Sequence, residues 1–172
     1  MGIAGTGKST LSREIMRRIC AVYLDNNHIA DAFFPSTRNT ARYNRLRSGF
    51  YEALYTITEE NLKLGNSVLL DVPHIREIQN RKSRGVIKRI VTRTGAKMIV
   101  IRCLCSEEIV RARLVSRGQQ RDHWKLRHWK EFLNEQPIKV RIPFPHLDIN
   151  TEESASTNVR AAIRYIHKIN HD

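Results

Sequence analysis

The chain has 172 residues, 41% hydrophobic and 27% charged, the make-up of one ordinary globular domain long enough to bury a core. Its formal net charge of +13 suits a polyanionic partner such as a nucleotide, a phosphosugar or nucleic acid. No apolar run approaches the ~20 residues of a membrane span, and three cysteines give no disulfide framework, so we expect reduced thiols and a cytoplasmic location. In chain order, apolar runs alternate with helical patterns. A glycine-rich start leads into a helix over Ser9 to Ile19, with Leu11, Ile15 and Ile19 on one face. Ala21 to Leu24 reads as a strand ending at Asp25, followed by a helix carrying Ile29, Ala30 and Phe33 that Pro35 stops. Thr40 to Leu64 predicts a long helix closed by Gly65-Asn66. Ser67 to Asp71 is an apolar strand ending in an acid. Pro73 to Thr94 is basic and predicted helical after a loop, with Gly95 closing it. Lys97 to Leu104 is the clearest strand. Ser106 is placed to cap a helix through Val115, Gly118 to Arg121 breaks it, and Asp122 to Asn134 resumes as a helix in which Trp124 and Trp129 pack. After a proline-bearing loop, His146 to Asn150 is a last short strand and Ser154 to Ile169 a closing helix. This alternation predicts an α/β architecture with a mostly parallel sheet.

The first nine residues carry the strongest chemical signal. Gly2-Ile3-Ala4-Gly5-Thr6-Gly7-Lys8-Ser9 is G-x-x-x-x-G-K-S, a phosphate-cradling loop that runs into a helix through Thr10. The glycines Gly2, Gly5 and Gly7 let backbone N–H groups wrap an anion, and Thr6 and Thr10 complete the cradle. Lys8 reaches the β- and γ-phosphates, the Ser9 hydroxyl is a Mg²⁺ ligand, and the helix N-terminus faces the same charge. A nucleoside triphosphate is the expected ligand. Such a loop normally joins a strand to a helix, and only Met1 stands before it here. We therefore expect that a central strand belongs directly upstream, and that without it two neighbouring strands lose a pairing partner.

Asp71 ends an apolar strand at the edge where the loop opens, so it can hold Mg²⁺ through water or orient an attacking hydroxyl. The alternative is a turn cap before Pro73. Asp25 ends the other short strand, where a carboxylate can accept a substrate hydroxyl's proton or simply shape the loop; Asp31 is a substitute. Arg113, Arg117 and Arg121 stand four apart and on one helix would share a face. At the Gly118 break, Arg117 and Arg121 are the candidates for a lid over the transferred phosphoryl group, within a segment of about 113–123. Arg38, Arg42, Tyr43, Arg45, Arg47 and Tyr51 are candidates for shaping the acceptor pocket, and Asn150-Thr151 for bordering a base.

On these residues the chain resembles the small P-loop kinases of the AAA_33 type, related to zeta toxins, chloramphenicol phosphotransferase, gluconate kinase and the kinase domain of polynucleotide kinase. The resemblance rests on Gly2 to Thr10, Tyr23-Leu24-Asp25-Asn26-Asn27, Asn61 to Asp71, Cys103 to Gly118, and Arg121-Asp122 to Phe132. It implies a three-layer P-loop NTPase fold of the nucleoside-monophosphate-kinase kind, with a five-stranded parallel sheet flanked by helices and here missing its first central strand. It also implies Mg-ATP as donor and transfer to a hydroxyl. The family pattern after the second strand carries a further Asp where this chain has Asn27, and an amide cannot accept a proton. The expectation is a single domain over 1–172 that phosphorylates a small-molecule hydroxyl, with Lys8, Asp25, Asp71, Arg117 and Arg121 as catalytic residues. The alternatives are a polynucleotide 5′-hydroxyl kinase, given the positive charge, and a nucleotide-binding protein with weak transfer or none.

Overall fold

The computed structural model describes residues 1–36 and 38–171. The phosphate loop feeds α1 (Lys8–Met16), then come β1 (Val22–Asp25), α2 (Asn26–Phe33), α3 (Ala41–Lys63) and β2 (Val68–Asp71). They are followed by α4 (Ile75–Gln79), α5 (Arg81–Thr94), β3 (Ile101–Leu104) and α6 (Glu107–Arg117). A 3₁₀ turn (Gln120–Asp122), α7 (His123–Arg127), α8 (Trp129–Glu135), β4 (Leu147–Asn150) and α9 (Ala155–His171) complete the chain.

Local chemistry sets most of these boundaries. The Thr40 hydroxyl accepts from the Tyr43 N–H and starts α3, as a capping side chain does when it satisfies a first-turn donor. The basic 73–94 segment is two helices, because the Asn80 carboxamide accepts from the N–H groups of Lys82 and Ser83 and begins α5 afresh. The helix expected over 122–134 divides at His128, whose φ of −114° and ψ of 50° leave the helical region. The strand expected over 97–104 is paired only from Ile101, where β4 runs alongside.

All strand pairing is parallel, in two pairs: β1 with β2, and β3 with β4. Between the pairs runs the start of the chain. The Met1 amine donates to the Ile101 carbonyl at 2.5 Å and the Cys103 N–H to the Met1 carbonyl at 2.8 Å, while the Gly2 N–H donates to the Pro73 carbonyl at 3.1 Å. Met1 thus bonds to β3 on one side, and Gly2 to Pro73, two residues past β2, on the other. The structure thus has two two-stranded ladders with Met1 and Gly2 between them, and not the expected five-stranded sheet.

Helices pack on both ladders. Leu11 and Ile15 of α1 and Val159 and Ala162 of α9 bury against Cys103 of β3 and Ile149 of β4. Tyr51 and Leu54 of α3 and Ile90 of α5 bury beside Val72, at the end of β2. A third cluster joins Ile3 of the loop to Val110 and Leu114 of α6 and Phe132 of α8, with Trp124 and Trp129 packed on it as expected. Burying such side chains contributes about 1.5–3 kcal/mol each, and the Ile3 contact fixes the phosphate loop to the molecule's interior. Cys20, Cys103 and Cys105 are free thiols. No helix among the described residues is long and apolar enough to cross a membrane.

Candidate active site

The phosphate loop closes on itself before it meets any ligand. Thr6, fully buried, donates its hydroxyl proton to the Ile3 carbonyl at 2.9 Å. Gly7 ends the loop in the left-handed region, φ 78°, and caps α1 without a side chain. A Cβ there would lie 3.2 Å from Thr151, so only glycine lets the loop turn against the β4–α9 connection. With no capping side chain and no acid in its first turn, α1 offers its first N–H groups to an anion. Lys8 Nζ donates to the Ile3 carbonyl at 2.7 Å. Burial pushes its ammonium below the usual lysine value, against the opposing pull of Asp71.

Gly5, Gly7, Lys8, Ser9 and Thr10 line one cleft of about 600 Å³ together with Asp71. Asp71 and Asp25 are register partners on neighbouring strands, so the two carboxylates stand side by side at the ends of β2 and β1. The Tyr23 hydroxyl bridges them, donating to Asp71 at 2.9 Å and lying 3.4 Å from Asp25. Ser9 and Asp71 both present hard oxygen ligands in the same cleft, the donor type Mg²⁺ takes alongside water and phosphate oxygens, so the residues fit that ion.

Asp25 differs from the expected acceptor-facing position. It is 5% exposed, caps α2 by accepting from the Asn27 N–H and carboxamide at 2.8 Å each, and does not line the cleft. The physical reason is local: an Asp at the strand-to-helix junction satisfies the new helix's free donor. Desolvation nonetheless raises its pKa above the ordinary Asp value.

The expected lid arginines reach the cleft by different routes. Arg117 and Arg121 both line it, but α6 ends at Arg117 and Gly118 turns left-handed, φ 61°, so Arg121 belongs to the 3₁₀ turn and not to the same helix face. Arg117 donates through Nε to buried Asp122 at 2.8 Å. Lys125 Nζ bonds the other Asp122 oxygen at 2.7 Å. Arg121 pairs with Asp31 of α2, which also pairs with Arg38. Arg113 also lines the cleft but is held by the loop and its neighbour: it donates to the Thr151 carbonyl at 2.7 Å and hydroxyl at 2.9 Å and lies 3.4 Å from the Gly5 carbonyl, tying the loop to the β4–α9 connection. Of Asn150-Thr151, expected to border a base, Thr151 lines the cleft and Asn150 does not.

Of the residues expected to shape the acceptor pocket, Arg38, Tyr43, Arg47 and Tyr51 line the cleft, whereas Arg42 and Arg45 do not. Sequence reasoning missed what holds them. Arg47 pairs with buried Glu77 at 2.5 Å and stacks its guanidinium 4.8 Å from the Tyr51 ring centroid. Asp122 and Lys125 were missed as well, although Arg117, Asp122 and Lys125 stand at spacings that a turn after α6 can fold together.

Comparison with known proteins follows this geometry. Residues 1–136 match the model of the AAA_33 family, described as an AAA domain. A candidate kinase from Chloroflexus aurantiacus is similar over 96% of this chain and 95% of its own, at 19% identity and a TM-score of 0.71. A sugar kinase from Janibacter sp. HTCC2649 is similar over 97% and 91%, at 13% identity and a TM-score of 0.72. The APS kinase of Mycobacterium tuberculosis, in complex with AMPPNP and APS, is similar over 97% and 94%, at 16% identity and a TM-score of 0.66. At these identities the likeness is one of fold. No curated protein matches the chain.

Proposed function

The chain belongs to the AAA_33 family, with the fold of P-loop kinases, and from that premise we propose that it transfers the γ-phosphate of ATP to a hydroxyl of a small molecule. The observation that carries this reading is a single cleft shared by Lys8 and Ser9 of the phosphate loop, by Asp71, and by Arg117 and Arg121 on the facing segment. Donor, metal-side and lid groups thus converge on one space small enough for a nucleotide and a compact acceptor.

The backbone N–H groups from Gly5 to Thr10 and the Lys8 ammonium hold the polyphosphate. A buried ammonium is costly, and phosphate oxygens replace the lone Ile3 carbonyl as its partners. Ser9 and Asp71 would hold Mg²⁺, which would supply neutralisation of the charge on the phosphates. Asp71 orients the acceptor hydroxyl; as its oxygen bonds the γ-phosphorus, the bond to the ADP oxygen breaks and the hydroxyl proton leaves toward a carboxylate or water. Because this transition state is loose, aim matters more than base strength. Asp25, buried beside Asp71 and outside the cleft lining, acts as a positioning residue through Tyr23 and Asn27. Arg117 and Arg121 pair with charge on the transferred group.

The test follows γ-³²P from ATP into a broad panel of hydroxyl compounds with Mg²⁺ present. Transfer that falls on the order of 10²-fold or more in Asp71→Asn, with ATP affinity within a few-fold, supports the assignment. ATP binding with no transfer to any member would leave a nucleotide-binding protein and sink the kinase reading.

A further inference from the structure

The cationic groups of the cleft can be sorted by partner. Arg47 is matched by Glu77 and Arg76 by Glu135, and Arg113 is committed to the Thr151 and Gly5 carbonyls. Apart from Lys8, bonded to the Ile3 carbonyl, four others remain and are not matched one to one. Arg38 and Arg121 share the single carboxylate of Asp31, and Arg117 and Lys125 share that of Asp122. Four positive charges on two negative ones leave a surplus of +2, and all four cations line the cleft together with Asp122, whereas Asp31 does not.

Arg38 marks where that surplus faces. Its partners are Asn27 and Asp31, both on α2, and not the phosphate loop. Its side chain is 14% exposed, and its Nε has no hydrogen-bond partner among the described residues. The carboxamide oxygen of Asn26, which also lines the cleft, is likewise buried and without a partner among them. Buried polar groups are rarely left so. Both residues line the cleft, so a turn of either side chain brings its free donor or acceptor to a molecule that presents an anionic oxygen and a hydroxyl.

Resting on the kinase reading, we propose that the phosphate acceptor is a small hydroxyl compound that already carries a phosphate or carboxylate, bound by Arg38 with Arg121 and Lys125. The anionic oxygen takes the Arg38 guanidinium and offsets the surplus on Asp31, while an acceptor hydroxyl reaches Asn26. A cleft of about 600 Å³ is of the size that holds a small anion.

The experiment uses the whole chain with its phosphate loop saturated by Mg-AMPPNP, so that added anions cannot occupy the γ-phosphate position. Calorimetry then compares matched probes: glucose 6-phosphate with glucose, gluconate with glucitol, inorganic phosphate alone, and a 5′-hydroxyl oligothymidylate. The anionic member of at least one pair, or inorganic phosphate itself, binds about tenfold or more tighter than the neutral member. Arg38→Gln abolishes that preference while Mg-AMPPNP affinity stays within about twofold. Should Arg38→Gln fail to fold, Asp31→Asn serves instead, and is expected to retain or strengthen anion binding. Equal affinity within every pair, no anion bound at millimolar concentration, a preference that survives Arg38→Gln, or an oligonucleotide that outbinds every small anion would each overturn the proposal. AMPPNP that does not bind at all would instead remove the kinase reading beneath it.

Discussion

At the scale of residues, burial favours the uncharged forms of Lys8, Asp25 and Lys125 in and around the site. His74 is the case with a sharp consequence. It is the one non-glycine residue with positive φ among those described, at 55°, and its Nε2 sits 3.0 Å from the Tyr55 hydroxyl. Burial, aided by the nearby cationic groups, pushes its pKa down to about 3, although part of its surface reaches solvent. A histidine in the unfolded chain takes its proton near pH 6.5. Below that pH the unfolded state binds more protons than the folded one, so stability is full above 6.5 and falls as pH drops toward 3, by up to about 1.4 kcal/mol per unit. Urea midpoints at pH 7, 5 and 4 check this: the wild type should lose stability on acidification more steeply than His74→Gln, and equal slopes would contradict the assignment. Nothing in the sequence near His74 announces this, because its environment is made by Tyr51 and Tyr55 of α3. Lys8, Ser9 and the loop glycines were legible because a single turn of nine residues holds them. Arg38, Asp31 and Arg121 were not legible as a group, since their pairing spans some 90 positions.

At the scale of elements, the segment after α6 is built on one buried carboxylate. Asp122 is fully buried and bonds both Arg117 and Lys125. Removing it strands two cations, one of them well shielded, and breaking such a pair costs about 3 kcal/mol. Asp122→Asn should therefore lower the thermal midpoint by several degrees and weaken ATP binding, because Arg117 loses its anchor. An unchanged midpoint would show that Asp122 does not organise the segment. Element type was readable where capping and periodicity are local, as at Thr40 for α3 and the apolar run before Asp71 for β2. The divisions at Asn80 and His128 were not: Asn80 acts through its side chain on the next turn, and the backbone at His128 leaves the helix inside a continuous helical pattern. Likewise the four-residue spacing of Arg113, Arg117 and Arg121 assumed one unbroken helix, which the left-handed turn at Gly118 denies.

At the scale of the whole molecule, two parallel ladders are joined through Met1 and Gly2, and the phosphate loop hangs from that joint. A Cβ on Gly2 would lie 2.6 Å from the Cys103 carbonyl and 2.7 Å from the Thr6 hydroxyl, at a φ of 140°. Gly2→Ala should thus cost about 1–3 kcal/mol and reduce ATP affinity in parallel, since the strain enters the loop itself; full ATP affinity in a destabilised protein would separate the joint from the site. The net charge of +13 suggested a polyanion without saying which, and eight of the cationic side chains line the cleft. The most direct test of the whole account is isothermal titration of Mg-ATP into the wild type and into Lys8→Ala. Binding to the wild type, weakened about 30-fold or more by the substitution through loss of about 2 kcal/mol of charge-assisted hydrogen bonding, is the predicted result; absence of heat with folded wild type, or equal affinity in the two proteins, would contradict it.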